Sequence, residues 1–254
     1  RVYRAETGAS DSEITDGNSD TDENTVRSAV PDENSVRMLE DMFAFEYGSD
    51  LTKKSAKVTV TEIAKSGDDD RIYLRRPDFA AEIGGLTAAE KGTAMHTFMQ
   101  YADYSAAETD PSAEAEKLAE NGLLSPEERD SLNIGQLEEF FRSELYLRMK
   151  KSDSIRREQK FLIKKCDAAL DDTRLMEYND NSMLQGIADC MFEENGEIVL
   201  IDYKTDKVKS ECILLSRYDL QIKLYAAALG KIFGKRVGEA YLYSFSLGKA
   251  VKAI

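Results

Sequence analysis

The sequence predicts an α/β fold in which helices precede, flank and cross a mixed β-sheet. Apolar residues recur at helical spacing through the first half of the chain. Shorter apolar runs, dense in Ile, Leu, Val and Tyr, then crowd into the second half. A long helical pattern beginning at Ile213 separates the last two of these runs, which makes it a crossover between strands.

Taken in order, residues 1–33 read as a linker, with Glu6, Asp11, Glu13, Asp16, Asp20, Asp22 and Glu23 set among Gly, Ser, Thr and Asn. Residues 35–47 carry Val36, Leu39, Met42 and Phe43 at helical spacing, so 1–50 form an acidic linker and lead-in helix and 51–254 the folded domain. Residues 57–63 open that domain. After a Gly-Asp-Asp-Asp loop, 88–106 read as one helix with Met95, Met99 and Ala102 on a stripe and His96 beside it. Ser125-Pro126-Glu127-Glu128 is a capping box with proline at the first helical position. Residues 134–150 form a second amphipathic helix through Leu137, Phe140, Phe141 and Leu145. Strands follow at 158–166, 183–192, 197–203 and, after the helix at 213–229, at 236–246.

Composition narrows the class. No apolar run approaches the roughly 18 to 20 residues that cross a bilayer, and the first residues, Arg-Val-Tyr-Arg-Ala-Glu, lack an apolar signal core. The three cysteines, Cys166, Cys190 and Cys212, match neither a zinc pattern nor an even disulfide framework. Reduced, mostly buried thiols in a cytoplasmic protein are expected. No Gly-x-x-x-x-Gly-Lys-Ser/Thr occurs, which excludes a P-loop ATPase within these residues. The net charge of −14 opposes phosphate binding. Cations nevertheless gather at Arg142, Arg148, Lys150, Lys151, Arg156, Arg157, Lys160, Lys164 and Lys165, either as solvated surface or as a local basic face.

Asn195-Gly196 joins two apolar runs and signals a two-residue type I′ hairpin turn. With these residues at its centre, Glu194 pairs with Glu197 and, counting outward, Asp189 falls opposite Asp202. Opposed like charges destabilise a strand pair, and the flanking runs are apolar enough to be buried. A cation between them is expected. Lys204, two residues beyond Asp202, lies on the same face and diagonal to Asp189. Two readings stand. Lys204 neutralises both aspartates in a structural ion cluster, or the carboxylates hold a hard divalent cation. One lysine cannot satisfy four desolvated carboxylate oxygens, which favours the second. Mg²⁺ or Mn²⁺ held there would polarise a phosphoryl oxygen and activate a water while Lys204 stabilises developing charge, so phosphodiester hydrolysis is the natural chemistry.

Asp189, twelve residues, then Asp202-Tyr203-Lys204 resembles the PD-(D/E)XK nuclease core, in the form found in RecB-like nuclease domains of bacterial helicase-nucleases. Residues 86–97, ending Gly-Thr-Ala-Met-His-Thr, resemble the family's metal-binding histidine motif. Glu158-Gln159-Lys160-Phe161 resembles its strand with an accessory acidic residue. Gln185-Gly186-Ile187-Ala188-Asp189 and Gln221-Ile222-Lys223-Leu224-Tyr225 resemble two further motifs. Val58-Thr59-Val60-Thr61-Glu62-Ile63 and Arg76-Pro77-Asp78-Phe79 resemble the segment leading in, which extends the likeness to about residues 40–246.

The resemblance implies a restriction-endonuclease-like fold, a mixed β-sheet flanked by helices. It implies metal ligation by His96, Asp189, Asp202 and the backbone carbonyl of Tyr203, and catalytic roles for Asp189, Asp202, Lys204, Glu158, Gln221 and Tyr225. Outside the resemblance, His96 reads as a packed core histidine, Glu158 as a strand-end charge, Lys160, two residues on and on the same face, as a surface lysine or a phosphate contact, and Gln221 and Tyr225 as helix-surface residues one turn apart. The Tyr203 side chain, opposite in face to Asp202, reads as packing. Some relatives carry a four-cysteine iron–sulfur cluster, which three cysteines so placed cannot build. The implied activity is a Mg²⁺- or Mn²⁺-dependent DNase that cuts single-stranded DNA unwound during double-strand-break processing and recombinational repair. The implied partners are DNA, helicase domains in the full-length chain and a second, AddB-type subunit. A catalytically silent nuclease-fold module and a small-phosphoester hydrolase are the alternatives.

Overall fold

The computed structural model describes residues 33–43, 56–65 and 85–254. The chain divides into two units, 1–48 and 49–254. In the first, helix α1 spans Glu33–Phe43; the rest of the expected linker, like Arg76-Pro77-Asp78-Phe79 and the acidic loop before it, lies outside the described residues.

Strand β1 (Lys57–Thr59) runs straight into helix α2 (Val60–Lys65). Helix α3 (Ala88–Tyr101) starts with a complete capping box, in which Thr87 Oγ1 accepts from Glu90 N while the Glu90 carboxylate accepts from Thr87 N. The expected single helix at 88–106 breaks after Tyr101. Ala102 turns extended, and the Asp103 carboxylate caps a short new helix α4 (Tyr104–Ala107) by accepting from Ser105 N. Helix α5 (Pro111–Glu120), an addition to the expected elements, has proline in its first turn and Asp110 as its cap. Ser125 forms the expected capping box of α6 (Pro126–Ser131).

The expected helix at 134–150 is likewise two, α7 (Ile134–Arg142) and α8 (Glu144–Met149). Ser143 divides them: its hydroxyl donates to the Phe140 carbonyl at 2.6 Å and accepts from Tyr146 N at 3.2 Å, ending one helix and starting the next. The bend lets Phe140, Phe141, Leu145 and Tyr146 all turn inward.

The sheet follows as β2 (Ile155–Lys164), a short helix α9 (Lys165–Ala168), β3 (Met183–Glu194), β4 (Glu197–Lys204), helix α10 (Glu211–Phe233), β5 (Val237–Ser244) and β6 (Lys249–Lys252). The terminal strand β6 extends the sheet beyond the expected strands. The order is β1-β3-β4-β5-β6, with β2 also paired to β3. The β4–β5 pair is parallel, which requires the α10 crossover; β2–β3, β3–β4 and β5–β6 are antiparallel. Both residues of the Asn195-Gly196 turn adopt positive φ, 53° and 81°, as a type I′ turn demands. The register of Glu194↔Glu197 through Cys190↔Ile201 is the one counted from the sequence.

Two apolar layers sandwich the sheet. On one face α2 and α10 pack Ile63, Leu220, Ile222, Leu224 and Leu229 against Ile198, Leu200, Ala240 and Leu242. On the other, α3 to α8 pack Phe98, Leu137, Phe140 and Met149 against Val199, Ile201, Tyr203 and Tyr243. Ile198 to Tyr203 are therefore all buried, an apolar run without alternation because both faces are covered. No described helix is long and apolar enough to cross a membrane. Of the three free cysteines only Cys190 is buried; Cys166 and Cys212 are exposed, because each sits in a polar turn or helix start, which corrects the expectation of mostly buried thiols.

Candidate active site

The ladder between β3 and β4 ends one pair short of the two aspartates. At the next position the backbones part, and Asp189 Oδ2 itself accepts the Tyr203 amide at 2.7 Å in place of a strand carbonyl. Asp189 and Asp202 are thus neighbours in register across an open fork, not a closed pair. On this side of β3 the partner strands are β1, opposite Met183 to Gln185, and β4, opposite Cys190 to Glu194. Gly186 to Ala188 face the gap between them.

A cleft of about 600 Å³ fills the gap. His96, Lys160, Asp189, Asp202, Lys204, Gln221 and Tyr225 line it, together with Thr59, Thr61, Phe161, Gln185, Gly186 and Ile187. Gly186 lets the Phe161 and Tyr225 rings close onto the strand at its wall: a Cβ there would lie 2.4 Å from Phe161 Cζ and 2.9 Å from Tyr225 Cε1. Gly92 has the same role on α3, where a Cβ would come within 2.8 Å of Thr205 Oγ1. Without a side chain, the helix carrying His96 one turn on can approach the segment after Lys204.

The charges in the cleft are unequally satisfied. Lys204 Nζ stands 2.5 Å from Asp202 Oδ2 and donates to Gln221 Oε1 at 3.2 Å. Asp202 is 2% exposed, and its Oδ2 accepts no hydrogen bond of good geometry despite that ion pair. Among the described residues Asp189 accepts one hydrogen bond, from the Tyr203 amide; burial and then the Asp202 charge push its carboxyl well above the usual range, with Lys204 opposing. His96 Nδ1 is 3.6 Å from Asp189 Oδ2, and burial lowers the imidazole's pKa against the opposing pull of Asp202. The sequence placed two carboxylates and one ammonium around a single point. In the fold the lysine goes to Asp202, and the excess negative charge falls on Asp189.

Gln221 and Tyr225 are buried, at 6% and 3% exposure, not at the helix surface. Gln221 Nε2 donates to the Tyr225 hydroxyl at 2.9 Å, so one amide links Lys204 to the tyrosine. The Tyr225 ring meets Phe161 edge-on with centroids 5.3 Å apart. The Tyr203 side chain lies in the opposite layer, against Phe140 and Phe245, so only its backbone belongs to the cleft. Sequence reasoning missed Tyr218, whose ring lies 4.0 Å beneath Lys204 Nζ and whose hydroxyl donates to Asp206. Its signal was the 218, 221, 225 spacing, one helix face.

Glu158 does not line the cleft. It sits at the position opposite Asp189, where the β2–β3 register skips a pair, and it holds a left-handed backbone at φ 50°. Burial raises its pKa, with Lys160 opposing. Such a backbone costs a non-glycine residue about 1–2 kcal/mol. Its effect is to turn the strand over. Arg157 donates to the Met99 and Ala102 carbonyls on the α3 side, whereas Phe161 and Ile163, also odd-numbered, pack on the α10 side. Lys160 therefore does not share a face with Glu158 by simple alternation.

Among the described residues, no three His, Cys, Asp or Glu side chains close into a cluster that would hold a metal ion. The donor chemistry still fits one. A buried carboxylate with an oxygen lacking a hydrogen bond and a second, half-buried carboxylate face one imidazole across the cleft, an oxygen-rich set suited to a hard divalent cation.

An Asp, an Asp-x-Lys on the neighbouring strand and an open fork between them define a nuclease class. The chain belongs to the PD-(D/E)XK nuclease superfamily, whose family model matches residues 71–252, and its mixed sheet with flanking helices is the restriction-endonuclease-like fold. It is similar to the A subunit of the ATP-dependent helicase/nuclease of Clostridium kluyveri (strain ATCC 8527), 38% identical over 184 residues, 69% of this chain and 14% of that protein. The protein of that name from Thermoanaerobacter sp. (strain X514) is 38% identical over 216 residues, 78% of this chain and 17% of its own length. That of Acetivibrio thermocellus is 36% identical over 208 residues, 79% and 16% respectively. The chain spans between 14% and 17% of the length of these curated relatives.

Proposed function

We propose that this chain is the nuclease domain of an AddA-type helicase/nuclease, hydrolysing phosphodiester bonds of single-stranded DNA with Mg²⁺ or Mn²⁺. The under-neutralised Asp189 beside the Asp202–Lys204 pair carries the reading. A purely structural ion cluster would place the lysine to serve both carboxylates, and here it serves one. Asp189, Asp202, His96 and the Tyr203 carbonyl would hold the cation. Bound there, it would supply Lewis acidity toward a phosphoryl oxygen and toward a water.

The chain's own residues do the rest. Asp202 and Gln221 orient the Lys204 ammonium toward the cleft, where it stabilises charge developing on the phosphate. Tyr225 fixes the Gln221 amide from the far side. His96, with its pKa lowered, stays neutral and able to offer a lone pair near neutral pH. Glu158 acts from behind Asp189, raising the local negative charge. The helicase/nuclease names of the relatives support helicase domains on the same polypeptide; a setting in double-strand-break processing and recombinational repair, an AddB-type partner and a cytoplasmic location belong to the proposal through the family resemblance alone.

The test is cleavage of a labelled single-stranded oligonucleotide by the chain with and without Mg²⁺, beside an Asp202→Ala control, a duplex of the same sequence and a small aryl phosphoester. Mg²⁺-dependent cutting of the single strand, lost in Asp202→Ala, is expected. Binding without cutting would leave a catalytically silent module, and turnover of the phosphoester alone a different hydrolase.

A further inference from the structure

Among the described residues, the inversion at Glu158 leaves half of a sheet face uncovered beside the cleft. Beyond it, Phe161 and Ile163 and their partners Gly186 and Leu184 turn toward the α10 layer, so the alternate residues point away from it. These are Lys160, Leu162 and Lys164 on β2, paired with Ile187, Gln185 and Met183 on β3. Leu162 is 52% and Ile187 41% exposed, and Lys160 and Lys164 are exposed as well. The helices that cover this face elsewhere pack beyond the fork, on Cys190, Phe192 and Ile201.

Charge on this patch opposes that of the whole. None of the six residues is acidic, in a chain of net charge −14. Among the described residues neither lysine has a carboxylate within ion-pair distance, whereas Arg142, Arg148, Lys150 and Lys165 are all paired. The patch also runs into the active site: Lys160, Gln185 and Ile187 line the cleft, and Asp189 follows two residues beyond Ile187. Four strand residues separate the lysines, about 13 Å at 3.3 Å per residue.

We propose that this open face is the track on which a single DNA strand lies as it reaches the cleft, with Lys160 and Lys164 contacting alternate phosphates and Leu162 and Ile187 lying against bases. The proposal rests on the nuclease reading above. A polyanion matches two unpaired cations with no carboxylate among them, and aliphatic surface between them accepts any base without hydrogen-bond readout, so binding would be sequence-neutral. An acidic protein segment has the same charge but no reason to lead to Asp189.

The experiment is fluorescence anisotropy of the chain with a labelled oligothymidylate across a salt series in EDTA, so that binding is read without cleavage, together with the Mg²⁺ cleavage assay. The variants are Lys160→Ala/Lys164→Ala, Lys160→Arg/Lys164→Arg and, at the far end of the sheet, Arg236→Ala. Each single-strand phosphate contact contributes about 0.7 to the slope of log affinity against log salt. The double alanine variant should lose about 1.4 from that slope and bind at least tenfold more weakly at low salt. The double arginine variant should keep the parent's slope, as should Arg236→Ala, and matching melting temperatures would show all variants folded. A parent-like slope and affinity in the double alanine variant, with the parent still cutting, would overturn the track while leaving the nuclease reading intact, and would assign the face to protein contact. A parent that neither binds nor cuts would sink both.

Discussion

One sheet carries two charged clusters, and they are built on opposite principles. Near the hairpin turn, Arg148 donates to Glu194 at 3.2 Å and 2.5 Å and to the Tyr241 hydroxyl at 3.1 Å, and it also meets Glu239, which takes a second cation from Lys252 at 2.8 Å. The Lys252 and Arg148 bonds hold the Glu239 carboxyl down at about 2. At the fork the carboxylates are more deeply buried and less well served: Asp202 has one lysine, and Asp189 a single backbone amide with its pKa driven the other way. Two cations for two carboxylates, all partly solvated, is a solution for stability. One cation for two carboxylates out of water is a standing cost, which a fold retains where the deficit is used.

Exchanging the two lesions tests that contrast most directly. Lys204→Ala should cut single-stranded DNA about a hundredfold more slowly at temperatures where it is still folded, the usual scale for a lost preorganised charge contact, and it should also melt lower because Asp202 is left buried without its cation. Arg148→Ala should instead keep the cleavage rate while losing about 1–2 kcal/mol of stability from charged hydrogen bonds left unmade. If Lys204→Ala melted far lower and cut normally, the fork would be structural after all.

Metal should distinguish the ends next. At a hundred times its Kd, Mg²⁺ or Mn²⁺ should stabilise the parent by about 2.7 kcal/mol through binding the folded state alone, read as a rise in melting temperature. An Asp202→Asn chain should barely respond. A parent whose unfolding is indifferent to saturating Mg²⁺ would remove the metal from the site.

A smaller effect isolates Asp189. Asparagine can still accept the Tyr203 amide while shedding the charge, so metal-free Asp189→Asn should be more stable than the parent, by about 1 kcal/mol. Glu239→Gln, at the satisfied end, should instead lose stability. Calorimetry of the two variants side by side would refute the contrast if both moved in the same direction.

The smallest signal is in pH. Asp189 titrates higher folded than unfolded, so in the window from the ordinary carboxylate range up to its raised value the folded state holds the extra proton, and stability falls as pH rises through that window. Glu239 has the opposite sign: its contribution is present above the ordinary carboxylate value and is lost on acidification toward about 2. Subtracting the Asp189→Asn melting curve from that of the metal-free parent, pH by pH, should leave the downward slope alone. A flat difference would mean that Asp189 ionises normally.

Much of this was legible because it is local. Asn195-Gly196 fixed a register that holds to Cys190↔Ile201, and Ser125 with Glu128 capped a helix where the pattern said it would. What failed was local chemistry with two uses. Ser143 and Asp103 are unremarkable inside an apolar helical stripe, yet both cap a new helix and break the expected one. Glu158 gave no warning at all, since the left-handed backbone it adopts favours glycine or asparagine, and no propensity marks a glutamate for it. The fork itself followed from the opposed aspartates only as repulsion. That Lys204 would side with Asp202 depended on Gln221 and Tyr218, which reach it from a helix after the strand.

The skipped pair at Glu158 and Asp189 has a mechanical side. Among the described residues, the β2–β3 ribbon is the only part of the sheet whose ladder continues across the fork, and it does so with one rung missing. The two halves of the sheet are leaves on a spine, and the spine is thinnest where the cleft opens. Slow bending there would widen or narrow the distance between Asp189 and Asp202, with the α10 layer, which packs on Phe161 and Leu184 of one leaf and on Leu200 and Leu242 of the other, shearing as it does so. Backbone amides on either side of the missing rung should therefore exchange with solvent earlier than their neighbours in the same strands, and a bound strand of DNA would act as a splint.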